Sequence, residues 1–212
     1  MNEYSPPKNC SLCPRLAGFH ERNRETYPDF YNAPVPSFGE ISAELLIVGL
    51  APGLKGANRT GRPFTGDYAG DVLYSSLQKF GFAEGNYNPE KVALEKDDGF
   101  RLINTRITNA VRCVPPDNKP ETSEISNCNN FLSNEIAAMK NLKTIITLGL
   151  ISHKAVIKSL DLKQSQYVFG HHKKHIINGK TLINSYHTSR YNINTGTLTQ
   201  AMFDAVIRDV RI

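Results

Sequence analysis

The sequence predicts a three-layer α/β/α fold around a central, mostly parallel sheet of about four strands. Three observations carry this. Two continuous apolar runs end in glycine, Leu45-Leu46-Ile47-Val48-Gly49 and Thr144-Ile145-Ile146-Thr147-Leu148-Gly149, as strands buried on both faces do. Segments of helical spacing alternate with these strands. Asn178-Gly179 between two strand-like stretches is a strong hairpin signal.

In chain order, residues 1–44 are rich in Pro, Asn and charge and read as an irregular arm. The first strand, 45–50, opens into a Gly/Pro/Asn/Arg-rich loop. Val72, Leu73, Leu77 and Phe80 have helical spacing, and Gly81 stops that helix. Residues 103–111 read as a second strand, with Ile107, Asn109 and Val111 on one face. A helix is expected from Glu121 through Met139, the third strand at 144–149, and a helix through Leu160. Stretches 167–177 and 181–185 flank the hairpin turn, and a last helix covers about 198–210. The 212 residues form one expected domain, 1–212, long enough to bury its own core.

No apolar run approaches a membrane span, and the N-terminus lacks a signal-peptide core, so a reducing, cytoplasmic setting is expected. Net charge +5 mildly favours a polyanionic partner. The only cysteines, Cys10, Cys13, Cys113 and Cys128, form C-x2-C, a long gap, then C-x14-C. A two-residue gap lets both thiolates face one centre. Zinc, an iron–sulfur cluster, two disulfides or four independent thiols all fit that spacing.

In parallel sheets ligands sit beyond the carboxyl ends of the strands. Three strand exits are decorated there, at 51–67, 109–120 and 187–196. The first is glycine-rich, which lets a backbone approach a bulky ligand, but it lacks the G-K-[ST] of a Walker loop and the dinucleotide glycine spacing. The second holds Asn109, whose carboxamide can read an amide-like base edge or simply cap a turn. The third holds His187 beside Ser189 and Arg190. His171-His172-Lys173-Lys174-His175 reads as a solvated basic edge, or as a track for a DNA backbone.

Taken together, Gly49-Leu50-Ala51-Pro52-Gly53, the stretch G-A-N-R-T-G-R-P-F-T-G-D ending at Asp67, and T-N-A-V-R-C-V-P-P-D-N-K-P around Cys113 resemble the uracil-DNA glycosylase superfamily. The resemblance is strongest to its family 5, with family 4 related, and spans Cys10 to about Leu198. It implies a DNA repair glycosylase that flips out a deaminated base, uracil and also hypoxanthine or xanthine, and hydrolyses its N-glycosidic bond. An inactive or uracil-restricted homologue on the same scaffold is the alternative.

The resemblance assigns roles to residues. Phe64 stacks on the flipped base, Asn109 reads its edge, and His187 meets its carbonyl as negative charge builds. Asp67 orients water or offsets the sugar's positive charge, although a helix N-cap is its plain alternative. Gly53, Gly56 and Ala57 leave room for the base. Arg59, Arg62, Ser189 and Arg190 are DNA-backbone candidates, and Tyr191 a wedge. Cys10, Cys13, Cys113 and Cys128 would hold a structural [4Fe-4S] cluster. The implied partners are single- and double-stranded DNA, with a sliding clamp as a further candidate. The implied protein is a monomer at the prokaryotic nucleoid. One departure stands out: the family's usual H-P-S is His187-Thr188-Ser189 here, which bears on the minor-groove contact.

Overall fold

The computed structural model describes residues 4–89 and 98–210. The five-stranded sheet comprises β1 (Leu45–Gly49), β4 (Thr105–Asn109), β5 (Thr144–Leu148), β6 (Lys174–Ile177) and β7 (Lys180–Ser185). Their order across the sheet is β4-β1-β5-β7-β6. The first four run parallel, and β6 is an antiparallel edge paired to β7. The hairpin turn is Asn178-Gly179, with φ of 50° and 77°, the left-handed pair that a two-residue connection needs.

Alternation along the buried strands sorts the core into two layers. Leu45, Ile47, Ile107, Ile146 and Ile183 point to one face, where α3 (Tyr68–Lys79) and α7 (Gln200–Arg208) supply Leu73, Leu77, Phe203 and Val206. Leu46, Val48, Ile145 and Leu182 point to the other, where α4 (Thr122–Ala138) and α5 (Leu150–Ser159) supply Leu132, Ile136 and Val156. Each such side chain contributes roughly 1.5–3 kcal/mol of transfer free energy. A short antiparallel pair, β2 (Ala83–Glu84) and β3 (Arg101–Leu102), lies outside this sheet.

Three expectations need correction. The arm is not wholly irregular, because α1 (Pro14–Thr26) lies in it. Its buried residues are Leu16, His20 and Asn23, so no apolar stripe announces it. The strand expected from Tyr167 begins only at Lys174, after a 3-10 turn over Gln164–Gln166. Two short helices also lie in the decorated exits, α2 (Ala57–Thr60) and α6 (Arg190–Asn194).

A buried ion network ties the β4 edge to α4. Glu135, fully buried, accepts from Arg106 Nε (2.6 Å) and Arg112 Nη2 (2.5 Å). Arg112 Nη1 donates to Ser37 Oγ (2.7 Å), which lies 3.0 Å from Thr108 Oγ1. Burial works to raise the Glu135 carboxyl, but Arg112, Arg106 and the hydrogen bonds more than offset it, so its pKa lies below the usual 4.5. A depressed carboxyl contributes stability that is present above the unfolded value and lost as pH falls through the folded one.

Glu135→Leu should therefore cost about 3–5 kcal/mol in urea unfolding, because two arginines lose their buried partner. Glu135→Gln should flatten the loss of stability that the native protein shows as pH falls below 4.5. An unchanged unfolding midpoint in both variants would contradict the network's role.

Candidate active site

The parallel register fixes the heart of the site. Gly49 pairs with Asn109 at the carboxyl ends of β1 and β4. His187 follows two residues after β7, and Phe64 folds back from the loop after β1. Phe64, Asn109 and His187, with Gly53, Gly56, Ala57, Asp67, Ser189 and Arg190, line one cleft of about 750 Å³.

Phe64 holds a left-handed φ of 54°, unusual for an aromatic residue. The surroundings enforce it: Tyr74 Oη donates to Pro63 O (2.6 Å) and Tyr87 Oη to Phe64 O (3.4 Å). Gly70 is needed beneath, since a Cβ there would lie 1.6 Å from Phe64 O. The Phe64 ring stands 6.1 Å from that of His187, tilted by 32°. Gly49 forms the floor between Phe64 and Asn109, where a Cβ would lie 2.4 Å from Asn109 Oδ1 and 2.5 Å from Phe64 Cζ.

Asn109 is 3% exposed, and its Oδ1 is buried with no hydrogen-bond partner among the described residues. A buried orphan acceptor is costly unless a ligand meets it. Its neighbour across the cleft, His187, is also set by burial, which lowers its pKa from 6.5 to about 4. The imidazole is thus neutral at neutral pH and can donate from only one nitrogen. Asn192 fixes its loop, donating from Nδ2 to His187 O (2.8 Å).

Asp67 caps a helix with one oxygen and turns the other to the cleft. Its Oδ1 accepts from Gly70 N (3.2 Å) as the N-cap of α3. Its Oδ2 faces the glycine wall, 3.3 Å from where a Cβ of Gly53 would stand and 2.6 Å from one on Gly56. Those two glycines keep this oxygen open. Burial raises the Asp67 carboxyl above the usual 3.8, with the Gly70 N–H pulling the other way.

The DNA candidates separate. Ser189 N-caps α6 and Arg190 lies 5.3 Å from the Tyr68 ring, both at the cleft. Tyr191 beside them is 74% exposed. Arg59 lies outside the cleft wall, where its Nε donates to Lys55 O (3.1 Å). Arg62 is not free for a phosphate: it pairs with Asp98 (2.8 Å) and stacks 4.5 Å over Phe38. The His/Lys stretch is partly spoken for as well, since His172 (2.9 Å) and Lys174 (2.6 Å) both meet Asp209. Thr188 is fully buried and donates to Ala69 O (3.1 Å), so the departure faces inward, away from any groove.

Asn118 and Leu54 also line the cleft and were not singled out from the sequence. Asp117 and Asn118 hold consecutive positive φ values of 53° and 56°, a turn that the run Pro-Pro-Asp-Asn hints at.

Cys10, Cys13, Cys113 and Cys128 border one small cavity with Leu16, Val111 and Phe131. Burial, then the neighbouring sulfurs of Cys128, Cys10 and Cys13, push the Cys113 thiol up. The four sulfurs thus share one largely apolar lining. Arg112 N–H (3.4 Å to Cys128 Sγ) and Asn127 Nδ2 (3.6 Å to Cys13 Sγ) already donate to sulfur, as second-sphere groups do. Among the described residues, no three His, Cys, Asp or Glu side chains converge closely enough for a single metal ion. Four thiolates are a donor set used by both zinc and iron–sulfur clusters.

Residues 36–211 match the model of the uracil DNA glycosylase superfamily. A type-5 uracil-DNA glycosylase of Thermus thermophilus is 38% identical over 95% of this chain and 92% of its own length. One from Pyrobaculum aerophilum is 34% identical over 94% of the chain and 87% of its own. A type-4 uracil-DNA glycosylase of the latter organism is 34% identical over 71% of the chain and 61% of its own.

Gly49→Ala should lose about 1–3 kcal/mol by overpacking and should shift the Asn109 side-chain amide resonances, read by unfolding and by NMR. Unmoved Asn109 resonances would contradict a floor shared by these three residues.

Proposed function

The chain belongs to the uracil DNA glycosylase superfamily, and we propose that it repairs DNA by hydrolysing the N-glycosidic bond of uracil, releasing the base and leaving an abasic site. The observation that carries this is the buried, unpartnered Oδ1 of Asn109 beside the Phe64 ring at the strand ends. Uracil offers what both lack, a flat face for the ring and an N3–H for the acceptor.

Duplex stacking hides the bond, so the nucleotide must leave the helix to reach the cleft. With the base against Phe64 and Asn109, the C1′–N1 bond breaks and its electron pair stays with the base. Neutral His187 donates to the oxygen where that charge builds, at no cost of a proton transfer. Asp67, through the oxygen facing Gly53 and Gly56, offsets the cationic sugar and orients the water that adds at C1′, accepting the proton lost as the O–C1′ bond forms, a proton that the departed base anion finally takes up. Asn118 lines the same cleft and offers a second polar group for the water. Ser189 and Arg190 meet the backbone, and Tyr191 fills the gap in the stack. A cleft of about 750 Å³ with glycine walls also supports deaminated purines as substrates.

We assign Cys10, Cys13, Cys113 and Cys128 as ligands of a [4Fe-4S] cluster, which when bound supplies a covalent cross-link between the arm, the segment after β4 and α4. The chain's own residues carry the hydrolysis.

Single-turnover release of uracil from DNA, with enzyme in excess, tests this reading. Asp67→Asn keeps the cap acceptor and should lower the rate on the order of a hundredfold with α3 intact. Wild-type protein that releases no uracil would overturn the proposal. The rate of the native enzyme should show no His187 inflection near 6.5, because that group titrates near 4. A step at 6.5 that vanishes in His187→Gln would contradict neutral His187. Cys113→Ser should lose iron and stability together, and one zinc per chain with no iron would refute the cluster.

A further inference from the structure

The arm that carries Cys10 and Cys13 also reaches the cleft wall, by a route that does not pass through sulfur. α1 begins at Pro14, directly after Cys13. Beyond its far end stands Asn32, 1% exposed and with a left-handed φ of 45°. Its carboxamide is used on both sides. Nδ2 donates to Asn23 O (3.2 Å) and Tyr27 O (2.7 Å), at the last turn and C-cap of α1. Oδ1 accepts from Asn58 Nδ2 (2.9 Å) on α2. Two backbone bonds run alongside, from Tyr31 N to Arg59 O (3.1 Å) and from Asn32 N to Asn58 O (3.3 Å).

Asn58 is fully buried, and its Oδ1 has no partner among the described residues. The bond to Asn32 is thus the one side-chain hydrogen bond Asn58 makes among the described residues. Asn58 N–H in turn donates to Gly53 O (3.0 Å), and its neighbours Gly56 and Ala57 line the cleft. Gly56 is the residue that stands against Asp67 Oδ2. A continuous line of polar contacts therefore runs from the end of α1 to the wall facing the catalytic carboxylate.

We infer that Asn32 is a positioning residue that latches the cysteine-bearing arm to the glycine-rich wall, so that a fixed arm holds the space beside Asp67. This rests on the glycosylase reading of that wall. A loosened α2 would let the wall drift from Asp67 and admit unordered water, which costs the chemical step more than substrate binding. The latch needs this side chain at this backbone conformation, since Asn tolerates the left-handed region and presents a donor and an acceptor at once.

Asn32→Gly keeps the left-handed backbone and removes the carboxamide. Hydrogen exchange of the segment 53–62 should quicken on the order of tenfold, about what one buried hydrogen bond contributes. The single-turnover rate should fall by a similar factor with KM within about twofold. Cys13→Ser should also quicken exchange in 53–62, but should add little once Asn32 is Gly, because the latch is already open. Wild-type exchange in Asn32→Gly overturns the inference, as does equal acceleration by Cys13→Ser in both backgrounds. Should Asn32→Gly fail to fold, Asn32→Asp answers the same question. It keeps an acceptor for Asn58 but loses the donor to α1, so exchange at the native rate in it overturns the latch. Hydrogen exchange needs no substrate, so a native protein that releases no uracil defeats the glycosylase reading and leaves the exchange result standing.

Discussion

Glu135, buried between Arg106 and Arg112, is the constraint on which the site depends. Both arginines belong to one short segment: β4 contributes Arg106, and Arg112 follows three residues after Asn109. Clamping that segment at both ends restrains Asn109 between them, which matters for the group proposed to read a base edge. The same clamp sets Cys113, and Arg112 N–H reaches Cys128 Sγ on α4. Replacing the network with apolar residues could equal its stability, since buried charges are costly to desolvate. An apolar core would not fix the direction of a carboxamide in the same way.

The cleft divides charge between two groups by environment rather than by residue type. Burial lowers His187 and raises Asp67, disfavouring the charged form in both cases. For His187 the outcome is a neutral donor, which suits a base leaving with negative charge. For Asp67 the first turn of α3 partly offsets burial, since helix N–H groups favour an anion at the N-terminus. One carboxylate thus caps the helix with one oxygen and faces the cleft with the other. A cap and a catalytic group need not be rival readings when the helix begins at the site.

Much of the fold was legible because burial on both faces leaves a continuous apolar run, as at 45–49 and 144–148, and because Asn-Gly dictates its turn. The helix from Glu121 to Met139 is equally plain, with Glu121 capped reciprocally by Glu124. What failed to show was held by polar contacts. α1 buries His20 and Asn23 rather than a stripe, so periodicity is silent there. Of the site, Phe64, Asp67, Asn109, His187, Ser189 and Arg190 meet at one cleft with Gly53, Gly56 and Ala57, and the four cysteines meet at one cavity, whereas Arg59, Arg62 and Tyr191 do not line the cleft. Arg62 misled because a cation in a glycine-rich loop looks free until its partner Asp98, 36 residues on, is placed beside it. The Asn32–Asn58 pair is invisible for the same reason: nothing local distinguishes an amide that meets another 26 residues away.

Thr188 is held by contacts at the point where the sequence departs from the pattern it resembles. Proline fixes φ through its ring, whereas threonine leaves the backbone free and must be held by contacts. Here the hydroxyl donates to Ala69 O in the first turn of α3, two residues after Asp67, and the side chain is sealed from solvent. On either side, His187 O and Ser189 Oγ are bound by Asn192. The turn is thus fixed at three successive residues. The threonine contact adds something that a proline could not, a direct bond between the loop bearing His187 and the helix that Asp67 caps. Rigidity supplied covalently by a ring is replaced by a hydrogen bond that also sets the distance between the two groups of the proposed reaction.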